Sequence, residues 1–318
     1  MLNQVSALQN FKNNIFTSKS IRVGCAGLTA VALSLGTMEV LKRKDALTDF
    51  YYRQDNRDNV LKITNGFFSN SPSMKGISAA LIKSEGIRTT IYNDASPNIS
   101  YKVAQKNKVK GNYTVGIGHK ISKQSGDLIE NLQDDLKVAK KLTGMKVSTN
   151  VVDEKLSTEQ ITMLFVADLY KAEARAKQLT EGDLKDFPIS QVCWDDLASA
   201  KKMALISIVF NTGHRKVAYY NGNPTKLLTN FRAGNWEKAQ AEFDFWGPKG
   251  KVQENTIGKR YLEMFLVNDK NISDKSKEKL MKALNRAGFG FKNAEEANKY
   301  LEKKYDLQRQ AFIKSDIW

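Results

Sequence analysis

The pattern of apolar and polar positions predicts a short helix followed by a hairpin in the first third of the chain. Residues 77–84 place apolar side chains at helical spacing, and Ser73 is the predicted N-cap. Gly86 is the predicted stop, because only glycine takes the left-handed cap conformation without a Cβ penalty. The β-branched, aromatic and glycine residues of 89–92 and 113–118 then predict two strands. A helix end that faces a glycine-bearing hairpin forms one wall of a cleft.

The rest of the chain is mainly helical in its periodicity. Ser157 and Gln160 are spaced as a capping box, which marks the start of a helix. The segment 200–213 is apolar nearly all round, so it is expected to be the buried centre of a helical lobe. The predicted helices after the hairpin are 127–141, 157–180, 200–213, 275–287 and 294–305.

Three short motifs lie on the first helix and the hairpin. They are Glu85-Gly86, Tyr92-Asn93-Asp94 and Thr114-Val115-Gly116-Ile117-Gly118-His119. Their order and internal spacing resemble the motifs of the phage-type lysozymes, the T-even phage enzyme and its endolysin relatives in glycoside hydrolase family 24. The resemblance covers roughly residues 73–268. It implies a lysozyme-like α+β fold, with a small β-hairpin lobe, a larger α-helical lobe and a cleft between them.

The resemblance also implies a reaction, the hydrolysis of the β-1,4 bond between N-acetylmuramic acid and N-acetylglucosamine in peptidoglycan. Glu85 would be the general acid, and its place at the negative end of a helix dipole disfavours the carboxylate relative to the neutral acid. Asp94 would stabilise positive charge on the sugar ring and, with Thr114, would position a water on the opposite face. Carboxyl groups about 6.5–9.5 Å apart leave room for that water and give inversion. No metal and no cofactor is implied.

Two further residues are candidates for binding the substrate. Gly116 lies in the second strand, where a glycine often marks the close approach of a ligand or another backbone. Asn211 belongs to Phe210-Asn211-Thr212-Gly213, which resembles the family's Phe-Asn-x-Gly, and would reach the cleft from the helical lobe. The competing interpretation is that Asn211 only caps its helix.

The other candidates also have structural interpretations. Glu85 could be a surface charge, Asp94 a turn residue and Thr114 an ordinary strand residue. His119 is expected to be structural, closing the hairpin against the helical lobe. Arg260 and Glu263 lie in a segment that resembles the family's Arg-Arg-x-x-Glu, and they are expected to form a charge pair on a helix rather than to bind substrate.

The segment 95–112 is longer than its counterpart in the smallest family members. It is expected to be a longer basic hairpin tip, or a lip over the cleft, and the alternative is a solvated loop insertion. The insertion carries four lysines, which are Lys102, Lys106, Lys108 and Lys110.

The formal net charge of +16 is the unusual feature of the composition. A basic surface implies an anionic partner, and for a lysozyme the simplest one is an anionic bacterial envelope; solubility alone is the alternative. The basic residues are spread along the whole chain, which argues against a specific nucleic-acid patch. Cys25 and Cys193 suggest no disulfide framework and no zinc motif. Cys193, beside Trp194, is expected to be at least half-buried.

The predicted organisation has three parts, an N-terminal extension over 1–72, the lysozyme-like domain over 73–268 and a charged helical extension over 269–318. The uncharged run 23–38 is short for a membrane span, which usually needs about 20 apolar residues. It is interpreted as a weak membrane or signal-anchor segment, a signal sequence, or a helix buried against another protein.

These features predict three kinds of partner: peptidoglycan, a membrane contacted through 23–38, and virion proteins. The expected location of this phage-derived protein is the bacterial inner membrane or periplasm, or the virion. One rival function is a virion structural or ejection protein that keeps a lysozyme-like domain for docking. Another is a cationic membrane-disrupting protein that acts independently of Glu85.

Overall fold

The computed structural model describes residues 56–122, 126–243 and 253–313, so the apolar run 23–38 lies outside the described residues. The strands are β1 Arg88–Asn93, β2 Ser96–Ser100, β3 Tyr113–Gly116, β4 His119–Lys120, β5 Tyr219–Tyr220 and β6 Asn223–Pro224. The helices up to the middle of the chain are α1 (56–67), α2 Pro72–Glu85, α3 Tyr101–Lys106, α4 Leu128–Thr143, α5 Thr158–Glu181 and α6 Ser199–Thr212. The later helices are α7 His214–Ala218, α8 Lys226–Arg232, α9 Trp236–Ala241, α10 Glu254–Val267, α11 Asp274–Arg286, α12 Ala294–Lys304 and α13 Asp306–Ile313.

The predicted hairpin is part of a four-stranded antiparallel sheet in the order β2-β1-β3-β4. Tyr92 of β1 lies opposite Thr114 of β3. The insertion 95–112 is structured, since it supplies β2 and the short helix α3, whose Tyr101 and Ala104 are buried. A small antiparallel sheet beside a larger set of helices confirms the predicted α+β class.

Helix α2 begins two residues earlier than predicted. Its N-cap is Ser71, whose hydroxyl accepts a hydrogen bond from the amide of Met74 at 3.4 Å, so the prediction of Ser73 was wrong. Pro72 occupies the first helical position, where the missing N–H costs nothing. Gly86 ends the helix at φ 74° and ψ 171°. The positive φ requires glycine as expected, although ψ is extended rather than left-handed helical.

Helix α6 is the centre of the helical lobe, as its apolar sequence predicts. It packs against α2, α5 and α10, and nine of the ten residues from Ala200 to Val209 are buried. The capping box that starts α5 is present, with Ser157 accepting from the Gln160 amide and the Gln160 side chain accepting from the Ser157 amide. Helix α6 is thus packed directly against α2, the helix that ends at Glu85.

Both flanks of the predicted domain contribute to the same packing. Val60 and Phe68, in and just after α1, are buried in the main core, and Ser276 of α11 donates to the Gln240 side chain at 3.0 Å. Where the domain ends on either side remains a prediction. Cys193 is exposed, so the expectation of burial was wrong. None of the helices in the described ranges is long and apolar enough to cross a membrane.

Candidate active site

Glu85 is the last residue of α2, and its carboxylate forms an ion pair with Lys259 of α10. About one fifth of each side chain is exposed. The Lys259 ammonium also donates to Asn211 Oδ1 at 3.4 Å, and Asn211 Nδ2 donates to the Ser207 carbonyl one turn back at 2.9 Å. Asn211 thus bonds within its own helix and also reaches, through Lys259, the carboxylate of Glu85.

The pKa of the Tyr92 phenol is influenced by all three predicted catalytic residues. Burial raises the pKa of its phenol, and the positive charge of Arg88 lowers it. The negative charges of Glu85 and Asp94 raise that pKa, and a hydrogen bond with the Thr114 side chain lowers it. Tyr92 lies opposite Thr114 in the sheet, and the charges of both Glu85 and Asp94 act on its phenol.

Asp94 follows β1 and is fixed by Asn112 on the other side of the hairpin. Its Oδ1 accepts from the Asn112 amide and its Oδ2 from Asn112 Nδ2, both at 2.7 Å. The Asp94 amide donates to the Asn112 carbonyl at 2.9 Å. The carboxylate is exposed to solvent but has one orientation, which is what a group that positions a water needs.

The two glycines of the hairpin have different surroundings. Gly116 has φ 65°, which favours glycine, and a Cβ there would lie 3.5 Å from Ile161 Cγ2, an ordinary contact distance. Gly118 has φ 73°, and its Cβ would lie 4.0 Å from Glu85 Oε2. Gly118 is therefore the glycine next to the candidate general acid, and a role for Gly116 in binding substrate remains a prediction.

His119 links the sheet to the helical lobe. Its Nδ1 lies 2.7 Å from Asp168 Oδ2 on α5, and its Nε2 lies 3.3 Å from Asp135 Oδ2 on α4. Burial alone would lower its pKa, but the two carboxylates outweigh burial and raise the pKa to about 9. Asp135 also accepts from the Ser122 amide at 2.9 Å. These contacts agree with the structural role predicted for His119.

Arg260 and Glu263 form the predicted charge pair, and each is only 2% exposed. Glu263 Oε1 also accepts from the Ser207 hydroxyl at 2.6 Å, and burial raises the pKa of its carboxyl. Sequence reasoning on this motif missed Lys259. Neighbouring residues on a helix point about 100° apart, so a core-facing Arg260 implied that Lys259 faces elsewhere.

Comparisons with known proteins found a matching family model and a similar solved structure. The family model described as phage lysozyme matches residues 82–263, which is more than half of the chain. Among solved structures, the active form of the P1 phage endolysin Lyz is 18% identical, with 66% of this chain and 92% of that chain covered at a TM-score of 0.42. No curated protein matches the chain. The family match shows that this chain belongs to the phage lysozyme family, the lysozyme-like peptidoglycan hydrolases of phages.

Proposed function

We propose that the protein is a muramidase that hydrolyses the β-1,4 bond between N-acetylmuramic acid and N-acetylglucosamine. The observation that carries the proposal is that Glu85 lies beside the hairpin at Gly118, while Asp94 and Thr114 belong to that same hairpin. The family match supports the coarser statement that the substrate is peptidoglycan.

Each of the three residues has one role in the proposed mechanism. Glu85 protonates the leaving glycosidic oxygen as the bond breaks. Asp94, oriented by Asn112, stabilises the positive charge that develops on the sugar ring, and together with Thr114 it positions the attacking water. Lys259 holds the Glu85 carboxyl from the helical lobe and is itself bonded to Asn211. A water that attacks from the face opposite the leaving group inverts the anomeric carbon.

The test of the acid compares wild type with Glu85→Gln on purified peptidoglycan. Glu181→Gln is a matched control, because Glu181 also ends a helix directly before a glycine but lies at the opposite end of α5 from the sheet. We expect Glu85→Gln to lose about 10²–10⁴-fold in rate, as for loss of a general acid, and Glu181→Gln to keep wild-type activity. Equal clearing by wild type and Glu85→Gln would remove Glu85 from the mechanism.

The bond and the stereochemistry have their own test. The new reducing ends are reduced with borohydride and identified by mass spectrometry, and the first-formed anomer is followed by proton NMR. Reduced N-acetylmuramic acid and the α-anomer are the expected products. Reduced N-acetylglucosamine, or a β-anomer formed first, would contradict the muramidase or the inverting assignment respectively.

The alternative is a virion structural or ejection protein that uses a lysozyme-like domain for docking. The observation in its favour is that α11, α12 and α13 continue beyond the matched 82–263 and pack onto the helical lobe. A folded wild-type protein that clears no peptidoglycan would favour this alternative. We also propose that the protein is located in the virion, or at the inner membrane through 23–38. Fractionation of infected cells tests this location.

A further inference from the structure

Helices α12 and α13 lie beyond the family match, and both of them contact α10. At the first turn of α10, the Glu254 carboxylate accepts a hydrogen bond from the Tyr300 hydroxyl and pairs with Lys304, and both partners belong to α12. In the last turn of α10, the centre of the Phe265 ring lies 5.0 Å from the guanidinium carbon of Arg309 on α13. The two helices therefore hold α10 at both of its ends.

The middle of α10 is in direct contact with Tyr305, the residue between α12 and α13. A Cβ at Gly258 would overlap the Tyr305 ring, so the phenol lies against the bare backbone of α10. Glycine weakens a helix relative to alanine, and this close approach gives a physical reason for a glycine inside α10. The next residue is Lys259, whose ammonium pairs with Glu85. The chain that leads into α13 therefore rests on the turn of α10 that carries the partner of the candidate acid.

Phe312 of α13 is buried where α2 and α10 meet, with only 6% of its surface exposed. It lines a cavity of about 30 Å³ together with Lys259 and with apolar residues of both helices, which are Ile77, Ala80 and Leu81 of α2 and Leu262 and Leu266 of α10. A cavity of this size has room for only about one or two water molecules, so the three helices are closely packed here. Phe312 thus adjoins both the helix that ends at Glu85 and the side chain that pairs with it.

Helices α2 and α10 are connected to each other mainly through a third helix. Each of them packs along α6, whereas their direct contact with each other is small by comparison. The ion pair between Glu85 and Lys259 joins these two helices, so its geometry depends on their spacing. A displacement of about 1 Å in a catalytic group can cost about 10²-fold in rate. A side chain that fixes the spacing of α2 and α10 would therefore act on the candidate acid.

We propose that α13 clamps α2 to α10, and that Phe312 is a positioning residue for the reaction because it keeps Lys259 where it pairs with Glu85. The proposal rests on the proposed function for the role of Glu85 as the acid. It gives α13, which lies outside the family match, a part in the reaction. The competing role for α13 is stabilisation of the domain alone, which predicts no specific effect on kcat.

The first test compares Phe312→Ala with Phe187→Ala on soluble peptidoglycan strands, at a temperature where both variants are folded. Phe187 is a matched control, because it is also a buried phenylalanine but lies beside Glu181, at the end of α5 that is far from the sheet. We expect Phe312→Ala to lower kcat about tenfold with KM within about twofold of wild type, Phe312→Leu to restore most of kcat, and Phe187→Ala to keep the wild-type values. An unchanged kcat in Phe312→Ala, or an equal loss in Phe187→Ala, would overturn the proposal.

A double-mutant cycle identifies the contact through which Phe312 acts. If Phe312 works by positioning Lys259, its substitution has nothing further to disturb once Lys259→Met has removed the ammonium. We therefore expect the double variant Phe312→Ala/Lys259→Met to have the same kcat as Lys259→Met alone. Losses that multiply would mean that Phe312 acts on the site independently of Lys259, which contradicts the assigned role.

Hydrogen exchange followed by mass spectrometry separates this proposal from the muramidase proposal, because it needs no activity. In Phe312→Ala, we expect amide exchange to become about tenfold faster in the last turn of α2 and in α10, and to keep the wild-type rate at the end of α5. This pattern supports the clamp even if the wild type clears no peptidoglycan. Wild-type exchange in both segments, or the same acceleration throughout the chain, would refute the clamp whatever the activity of the enzyme.

A second variant keeps the test decisive if Phe312→Ala does not fold. Gly258→Ala favours the helix, but its Cβ displaces the Tyr305 ring and with it the start of α13. Gly66→Ala is the control, since this helical glycine of α1 has open space around it. We expect lower kcat and faster exchange in the last turn of α2 for Gly258→Ala alone. Wild-type values for both glycine variants would overturn the proposal.

Discussion

The contact of the buried His119 with two aspartates is expected to make the stability of the protein depend on pH. His119 is 5% exposed and lies between Asp168 and Asp135. Its pKa is about 9 in the folded protein against an ordinary 6.5. At about 1.36 kcal/mol per pH unit, this difference corresponds to about 3 kcal/mol of the free energy of unfolding. That is a large share of the 5–15 kcal/mol typical of a whole domain.

The sign of the effect follows from which state binds more protons. Between pH 6.5 and 9 the folded protein keeps a proton on His119 that the unfolded chain has lost. The stabilisation is therefore complete below pH 6.5 and is lost as the pH rises through about 9. Asp135 acts in the opposite range, because its pKa is lowered and its contribution is lost only in acid; burial raises that pKa, but the His119 and Ser122 contacts outweigh burial.

The assay is urea unfolding of wild type and His119→Asn at several pH values from 6 to 10. The difference between the two proteins isolates His119 from the tyrosines and lysines that titrate at high pH. We expect the wild type to be more stable at pH 6 and the difference to shrink by about 3 kcal/mol by pH 10. A difference that stays constant would mean that His119 has the same pKa in the folded and the unfolded protein, and one that grows with pH would mean that folding lowers this pKa.

Three further substitutions test the contacts around the site. Lys259→Met should lower kcat about tenfold because Glu85 loses its orienting partner, and Lys259→Arg should restore most of it, as single-turnover rates would show. Arg260→Met removes the cation that pairs with the buried carboxyl of Glu263 and should cost about 3–5 kcal/mol in urea unfolding. Gly111→Ala places a Cβ against Asn93 Oδ1 and 2.7 Å from Asp94 Oδ1 and should lower activity up to about 10²-fold, whereas Gly144→Ala, also at positive φ but with open space around it, should leave the rate unchanged. A Gly111→Ala enzyme as active as Gly144→Ala would contradict the need for a fixed turn around Asn93 and Asp94.

The sequence was informative where one local rule decides the structure. Ser157 and Gln160 predicted the start of α5 because a capping box needs only two residues at fixed spacing. The motif residues 85–94 and 114–119 likewise predicted the helix end, the strand and the turn that bring the site together. The apolar character of 200–213 predicted a buried central helix because apolar side chains lie on nearly all of its faces.

Contacts between distant segments left no such local signal. Lys259 is 174 residues from Glu85, and nothing in its own neighbourhood shows that it meets a carboxylate. Tyr92 is only one letter of a motif in the sequence, and its position opposite Thr114 depends on the pairing of β1 with β3. The exposure of Cys193 was missed because burial of a loop residue depends on how the neighbouring helices pack, and its apolar neighbour Trp194 was misleading.

The position of His119 suggests that it also matters for the geometry of the site. Glu85 comes from α2, which packs on α6, whereas Asp94 and Thr114 come from the sheet. The separation of the acid from Asp94 therefore depends on how the sheet is held against the helices. His119 lies on β4, next to the strand that carries Thr114, and bonds to both α4 and α5.

If this contact fixes the sheet, His119→Asn should lower kcat more than it changes KM, at a pH and temperature where the variant is fully folded. Packing of β3 against α5 is the competing anchor, since Ile161 of α5 is buried beside Gly116 of β3. Ile161→Ala would weaken that packing and leave the histidine contacts in place, so the two variants separate the two causes. An unchanged kcat in His119→Asn, together with a reduced kcat in Ile161→Ala, would assign the geometry of the site to strand packing and leave His119 with stability alone.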